Sequence, residues 1–266
     1  MKATVDFGRS TCSNLAVAEK KEWLVTNGIG GFASGTVANL LTRRYHGLLI
    51  AALQPPLGRT LLAAKLDDTV TYDGRQYPLF ANRWASGVVE PEGFNHIERF
   101  HLEGTTPVWT FAFADAQLEK RIWMQPGANT TYVLYRVRRA TGPVALAANV
   151  LVNDRDYHGA THGGWDMQVD RVENGLRVIA FDGALPFYVL SNKAEVAPGH
   201  EWYCNFALSE EQDRGFEGIE DHLYIGELRV TLERGESVLV VGSTEAAPNL
   251  DGASALSERQ AYEERL

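Results

Sequence analysis

From Leu48 to Val241 the chain is a succession of short β-branched and aromatic runs broken by Gly, Pro, Asn and Asp, the spacing of a sandwich or barrel. Several runs alternate apolar with polar residues, the period of a strand with one buried face. Strands are predicted over Phe94–Leu102, Val108–Ala114, Leu118–Met124, Thr131–Arg138, Val144–Val152, Leu176–Ala180, Leu223–Leu232 and Ser237–Gly242. Asp68–Tyr72 and Arg75–Leu79 flank Asp73-Gly74, a pair that readily takes the two positive φ angles of a type I′ hairpin turn. Glu233–Glu236 forms a turn between the last two strands. Few segments look helical, so the pattern implies an all-β, antiparallel fold.

The pattern changes at both ends. Residues 1–21 read as a lead-in, 22–246 as one β domain, and 247–266 as a linker entering a helix. Past Pro248 small and charged residues dominate, and Ser257 with Gln260 has the form of a capping box. Such a helix is either a solvated tail or the approach to a following element.

With 266 residues, 45% of them hydrophobic, the chain can bury a sizeable core as a single domain. The formal charge of −9 offers no general attraction to phosphate backbones or anionic lipid, so neither nucleic acid nor a membrane is an expected partner. No stretch of 18 uncharged apolar residues occurs, and Met1–Ser10 lacks a basic stretch followed by an apolar run. A cytoplasmic location is expected. Cys12 and Cys204 stand in no CxxC or zinc-like spacing, so no disulfide framework is predicted.

Candidate chemistry gathers in three places. Trp23–Gly35 contains Gly28-x-Gly30-x-x-Ala33, a superficial dinucleotide fingerprint. A ribose-capping acid and βαβ alternation are missing, so a tight loop is the better reading. Asn27, Gly28, Gly30 and Gly31 mark a backbone that bends sharply or approaches another surface closely. Thr42–Gly47 brings Arg43, Arg44, Tyr45 and His46 beside an apolar strand, Leu48–Leu53. Its groups can orient carboxylates or hydroxyls and stack on sugar rings, or one arginine can pair with an internal carboxylate such as Asp154 or Asp156 to fix a loop. Asn153–Gly159 supplies Arg155, Asp156, Tyr157 and His158 as a complement. Among six tryptophans, Trp84 and Trp165 lie in loop-like surroundings and are the candidate sugar platforms.

Other signals are weaker. His158 and His162 have i, i+4 spacing, but Gly159, Gly163 and Gly164 oppose a helix, so no metal site is assigned; no cofactor is predicted either. Glycoside hydrolysis needs two carboxyl groups across a bond. Asp67/Asp68, Asp154/Asp156 and Glu220/Asp221 are adjacent in sequence without being placed that way, so no catalytic pair is assigned. A Gly-x-Ser-x-Gly elbow and a P-loop are both missing from the sequence.

Together, Trp23–Thr36 and Thr42–Leu49 closely resemble the opening signature of the glycogen-debranching enzyme amino-terminal domain family. Asn153–His158 resembles its central segment, and Trp202–Phe206, Asp213–Gly215 and Glu220-Asp221 resemble later ones, so the likeness runs from about Glu22 to Glu245. It implies a large twisted β-sandwich of the galactose-mutarotase-like kind with a C-terminal linker helix. In the family an (α/α)6 barrel follows and holds the carboxylates that hydrolyse α-1,6 branch points, and this chain is expected to lack that barrel. The implied role is a non-catalytic domain of an amylo-α-1,6-glucosidase that supports the barrel and lends rim loops to α-glucan binding. Two alternatives stand beside it. One is a mutarotase-like sugar-ring enzyme using His46, His158 and Asp156, the other a scaffold without sugar affinity.

Overall fold

A computed structural model describes residues 5–266; the first four residues of the lead-in lie outside it. β1 (Asp6–Gly8) and two single-turn helices, α1 (Arg9–Cys12) and α2 (Leu15–Ala18), precede β2 (Glu22–Thr26), β3 (Phe32–Thr36), β4 (Gly47–Gln54), β5 (Leu57–Tyr72) and β6 (Arg75–Pro78). β7 (Ile97–Glu103), β8 (Thr106–Phe113), β9 (Ala116–Met124) and β10 (Thr130–Arg139) form a meander. β11 (Val144–Asp156), β12 (Gln168–Val172), β13 (Gly175–Ile179), β14 (Phe187–Ser191) and β15 (Glu195–Ala207) follow. Then come α3 (Ser209–Asp213), β16 (Ile219–Leu232), β17 (Ser237–Ser243) and α4 (Gly252–Arg265).

Two antiparallel sheets result, one of nine strands in the order β1-β7-β8-β9-β10-β17-β14-β13-β12. The other has eight, in the order β15-β16-β11-β5-β4-β3-β2 with β6 paired to β5. The fold is all-β with a C-terminal helix. The Asp73-Gly74 hairpin forms as predicted, with φ of 49° and 70°. The turn at Glu233–Glu236 carries the chain from one sheet to the other, since β16 and β17 belong to different sheets.

The predicted strand beginning at Phe94 begins instead at Ile97, because Gly93–His96 forms a 3-10 turn. Gly93 sits against the Phe80 backbone so closely that a Cβ would lie 2.3 Å from its carbonyl oxygen. β15, which the pattern missed, is an edge strand interrupted at Pro198 and Gly199, where its register shifts; such residues are tolerated at an edge because no second ladder is needed.

Apolar faces of the two sheets meet in one core. Phe100, Trp109, Phe111, Ile122 and Tyr135 from the nine-stranded sheet lie in the same buried cluster as Leu49, Leu62, Val70, Val150 and Ile225 from the other. Trp23 packs edge-on against Trp109 with ring centroids 5.6 Å apart, which anchors β2 to this core. One ion pair crosses it: Lys120 of β9 donates to Asp68 of β5 at 2.9 Å.

The C-terminal helix differs from its sequence reading. It starts at Gly252, capped by Asp251, whose carboxylate accepts from the Ala253 and Ser254 amides, so Ser257 and Gln260 lie within the helix instead of starting it. α4 is docked as well. Ala255 is buried with Trp123, Tyr132, Leu239 and Val241 on the outer face of the nine-stranded sheet.

Candidate functional site

In β2 the side chains alternate, Trp23 and Val25 entering the core while Glu22, Leu24 and Thr26 face outward. The turn that follows joins β2 to β3 instead of leading into a helix, which excludes the dinucleotide reading. Gly28 and Gly30 have φ of +79° and +105°, conformations open to glycine at little steric cost. Space requires glycine too: a Cβ on Gly30 would lie 2.7 Å from the Pro56 carbonyl oxygen, and one on Gly31 would lie 2.5 Å from the Asn27 amide.

Asn27, fully buried, holds the turn. Its Nδ2 donates to Ala128 O at 3.0 Å and Asn129 Oδ1 at 3.1 Å, and its Oδ1 accepts from Ile29 N at 3.1 Å and Gly31 N at 2.9 Å. Arg59 Nε donates to Gly30 O at 2.8 Å. From α4, Arg259 donates to Thr26 O at 2.6 Å and to Thr105 Oγ1 at 2.7 Å, and the Tyr262 hydroxyl lies against Gly28.

The loop between β3 and β4 presents the Arg-Tyr-His residues beside this turn. His46 is buried, and its Nδ1 accepts from Thr42 N at 3.1 Å. A neutral imidazole in that arrangement carries its proton on Nε2, which faces Glu22 Oε1 at 3.5 Å. Arg43 Nε donates to the same carboxylate at 2.5 Å, and its Nη2 reaches Glu210 at 3.2 Å. His46 first and Arg43 second hold the Glu22 carboxyl down at about 2.

One arginine does pair with carboxylates of the chain, Arg43 with Glu22 and Glu210, but neither pairs with Asp154 or Asp156. Arg44 instead donates to two backbone carbonyls, His158 O at 2.8 Å and Glu217 O at 2.7 Å, while its own amide is accepted by Glu211 Oε1 at 3.1 Å. Backbone carbonyls suit a guanidinium fork because they satisfy its donors without a second buried charge.

The Asn153–Gly159 segment does meet the Arg-Tyr-His loop. The Tyr45 hydroxyl and His158 Nδ1 are 3.0 Å apart, and Tyr45 and Tyr157 have ring centroids 5.6 Å apart. Arg155, buried, pairs through Nε and Nη2 with the two carboxylate oxygens of Glu220 and also donates to Arg44 O at 2.9 Å and Asp156 O at 3.1 Å. One guanidinium thus ties β11, β16 and the loop together. Asp156 accepts the His158 amide at 2.9 Å, fixing the turn after β11.

Two of the three neighbouring carboxylate pairs, Asp67/Asp68 and Glu220/Asp221, separate because successive strand residues face opposite ways. Asp68 goes to Lys120 and Asp67 to Lys65 and Asn82; Glu220 goes to Arg155 and Asp221 to the Gly163 and Asn205 amides. Asp154 is pushed up to about 6 by burial, from 3.8. Its folded pKa is above the unfolded one, so the fold favours the neutral acid and loses stability as pH rises from about 4 to about 6. Asp154→Asn is therefore expected to raise the urea midpoint at pH 7, the gain shrinking to nothing below about pH 4; an equal gain at both pH values would contradict the assignment.

A cleft of about 790 Å³ opens between the glycine turn and the Arg-Tyr-His loop, its walls including Glu22, Phe32, Arg43, Tyr45, His46 and Arg59. Of the residues named from sequence, Gly28, Gly30, Gly31, Arg43, Tyr45 and His46 line it; Asn27, Arg44, Arg155, Asp156, Tyr157 and His158 do not, though Asn27, Tyr157 and His158 contact residues that do. Trp84 and Trp165 lie elsewhere. The first packs on Phe206 at 4.9 Å and donates to Glu90 O, the second packs on Trp202 at 4.7 Å and donates to Ala180 O.

Sequence reasoning missed Glu22, Phe32, Arg59 and the anchoring Glu210 and Glu211. The alternation Glu22-Trp23-Leu24-Val25-Thr26 could have shown that Glu22 faces out beside the motif. Nothing local marks Glu210 and Glu211, which reach Arg43 and Arg44 from 167 positions along the chain.

A family model described as glycogen debranching enzyme N terminal matches residues 21–239. No curated protein matches the chain. Among solved structures, a bacterial glucoamylase complexed with acarbose is similar at 10% identity and a TM-score of 0.42, the match covering 93% of this chain and 35% of that one. The chain spans about a third of that protein's length.

Proposed function

The chain belongs to the glycogen debranching enzyme N-terminal family, and from that premise we propose that it is the non-catalytic sandwich of an amylo-α-1,6-glucosidase. In this reading it supports an (α/α)6 catalytic barrel and contributes rim loops to the binding of a branched α-glucan in the cytoplasm. The observation that carries the reading is the family match over residues 21–239, which includes the glycine turn, the Arg-Tyr-His loop and the Asn153–His158 segment. Among the described residues no helix is long and apolar enough to cross a membrane.

The carboxyl groups support a non-catalytic role in this chain. Asp67, Asp68, Glu220 and Asp221 are each committed to a cation or to backbone amides, which leaves them poorly placed to protonate a glycosidic oxygen or attack a sugar. The sugar-ring alternative gains nothing from the geometry. His46 is engaged by Thr42 and faces Glu22, His158 is engaged by Tyr45, and Asp156 caps the His158 amide.

The test is incubation of the chain with a branched limit dextrin, following both glucose release and binding. Binding without glucose release is expected. Release of glucose by the chain alone, or acceleration of α-glucose anomer interconversion, would overturn the non-catalytic reading, and failure to bind the dextrin would remove its glucan part.

A further inference from the structure

We infer that the cleft between the glycine turn and the Arg-Tyr-His loop is a binding site for a short, uncharged α-glucan segment, stacked on Phe32 and Tyr45 with hydroxyls bonded to Glu22 and Arg59. The identity of the sugar rests on the debranching reading. The place and the charge class rest on the cleft itself.

Size comes first. At about 790 Å³ the cleft lies within the range of roughly 300–1,000 Å³ typical of small-molecule sites. Its lining combines aromatic rings with charged groups: Phe32 and Tyr45 line it, and Tyr157 bridges them, with ring centroids 6.5 Å from Phe32 and 5.6 Å from Tyr45. A sugar presents an apolar ring face and a rim of hydroxyls, so it can use rings and charged hydrogen-bonding groups at once. A purely apolar ligand would desolvate the second oxygen of Glu22, since Arg43 and His46 both face the first.

Charge then weighs against the obvious rivals. The Glu22 carboxyl, held down at about 2, stays ionised at any physiological pH. Arg43 is already committed to Glu22 and Glu210, while Arg59 bonds only the neutral Gly30 carbonyl and Tyr157 hydroxyl. A phosphate entering here would share the cleft with the ionised Glu22 carboxylate, which offsets the attraction of Arg59. A neutral polyol meets no such repulsion, and the second oxygen of Glu22 can accept its hydroxyls.

The wall is also rigid before any ligand arrives. Asn27 bonds the turn from within, Arg59 from one side and Arg259 from the other. Gly28, Gly30 and Gly31 line the cleft, and the place of each absent Cβ is taken by Tyr262, Pro56 and Asn27 packed against the turn. Pre-formed walls reduce the ordering cost of binding, and the fastening of a surface turn at three points is accounted for by that use.

The experiment is calorimetric and NMR titration of the 266-residue chain with maltotriose and, separately, glucose 1-phosphate. Two variants probe the cleft. Thr26→Arg fills it from an exposed position, and Phe32→Leu keeps apolar volume but removes the ring. Arg229→Ala, in the groove beside Thr71 and Lys193, serves as the control. Unchanged thermal midpoints establish that each variant is folded. Maltotriose binding weakened about tenfold by either cleft variant, and unchanged in the control, is the expected result.

Maltotriose binding insensitive to both cleft variants would overturn the site while leaving the glucan reading intact. Tighter binding of glucose 1-phosphate than of maltotriose would overturn the charge class. Branched dextrin bound without any maltotriose binding would overturn the short-segment ligand alone. Failure of both maltotriose and dextrin to bind would overturn this inference and the glucan reading together.

Discussion

Arg155→Ala is expected to destabilise the fold by about 3–5 kcal/mol, the usual effect of removing one partner from a buried ion pair. Its carboxylate partner, Glu220, is buried and would be left without its cation. The loss should also depend on pH. Burial pushes the Glu220 carboxyl up, and Arg155 is the first group opposing that shift. Without Arg155 the folded state favours protonated Glu220 far more than the unfolded chain does, so the variant should lose further stability as pH rises from 5 to 8. Urea unfolding at several pH values reads both effects. A loss below about 1 kcal/mol, independent of pH, would mean that the pair behaves as a solvated surface bridge. Because Arg155 also donates to Arg44 O and Asp156 O, the variant should loosen the Arg-Tyr-His loop before the sandwich core.

Asn27→Ala is the second large effect, expected at about 3 kcal/mol. The substitution removes four hydrogen bonds and leaves Ala128 O and the Ile29 and Gly31 amides without that partner, at roughly 1–3 kcal/mol for each group that stays buried and unsatisfied. Asn27→Asp separates the contributions. It keeps the two acceptor bonds to Ile29 and Gly31 and loses the two donor bonds to Ala128 and Asn129, so it should fall between wild type and alanine. Chemical denaturation measures the series. An alanine variant as stable as wild type would show that the turn is held by Arg59 and Arg259 alone.

Both predictions concern residues that the sequence singled out by motif, and neither residue lines the cleft. A motif records which side chains are constrained without recording why. Gly28 and Gly30 were legible as bend points because positive φ is a local property of the chain. The Asp73-Gly74 hairpin and the strands of the β7–β10 meander were legible for the same kind of reason, since alternation and turn chemistry act over a few residues. The partners of Arg43 and Arg44 were not, because Glu210, Glu211 and the carbonyls of His158 and Glu217 approach from distant strands and loops. The start of α4 was misread because two capping patterns compete in one short stretch. Asp251 wins, placing Ala255 over the Trp123 and Tyr132 cluster.

The clasp between Arg259 and Thr26 joins residues 233 positions apart. One wall of the cleft is therefore assembled from segments far apart in the sequence, β2 preceding most strands of the sandwich and α4 following all of them. During translation the glycine turn can draw on Asn27, Arg59 and Asn129 well before Arg259 exists. Its final fastening waits for the helix, so the cleft is completed only after every strand of the sandwich has been made.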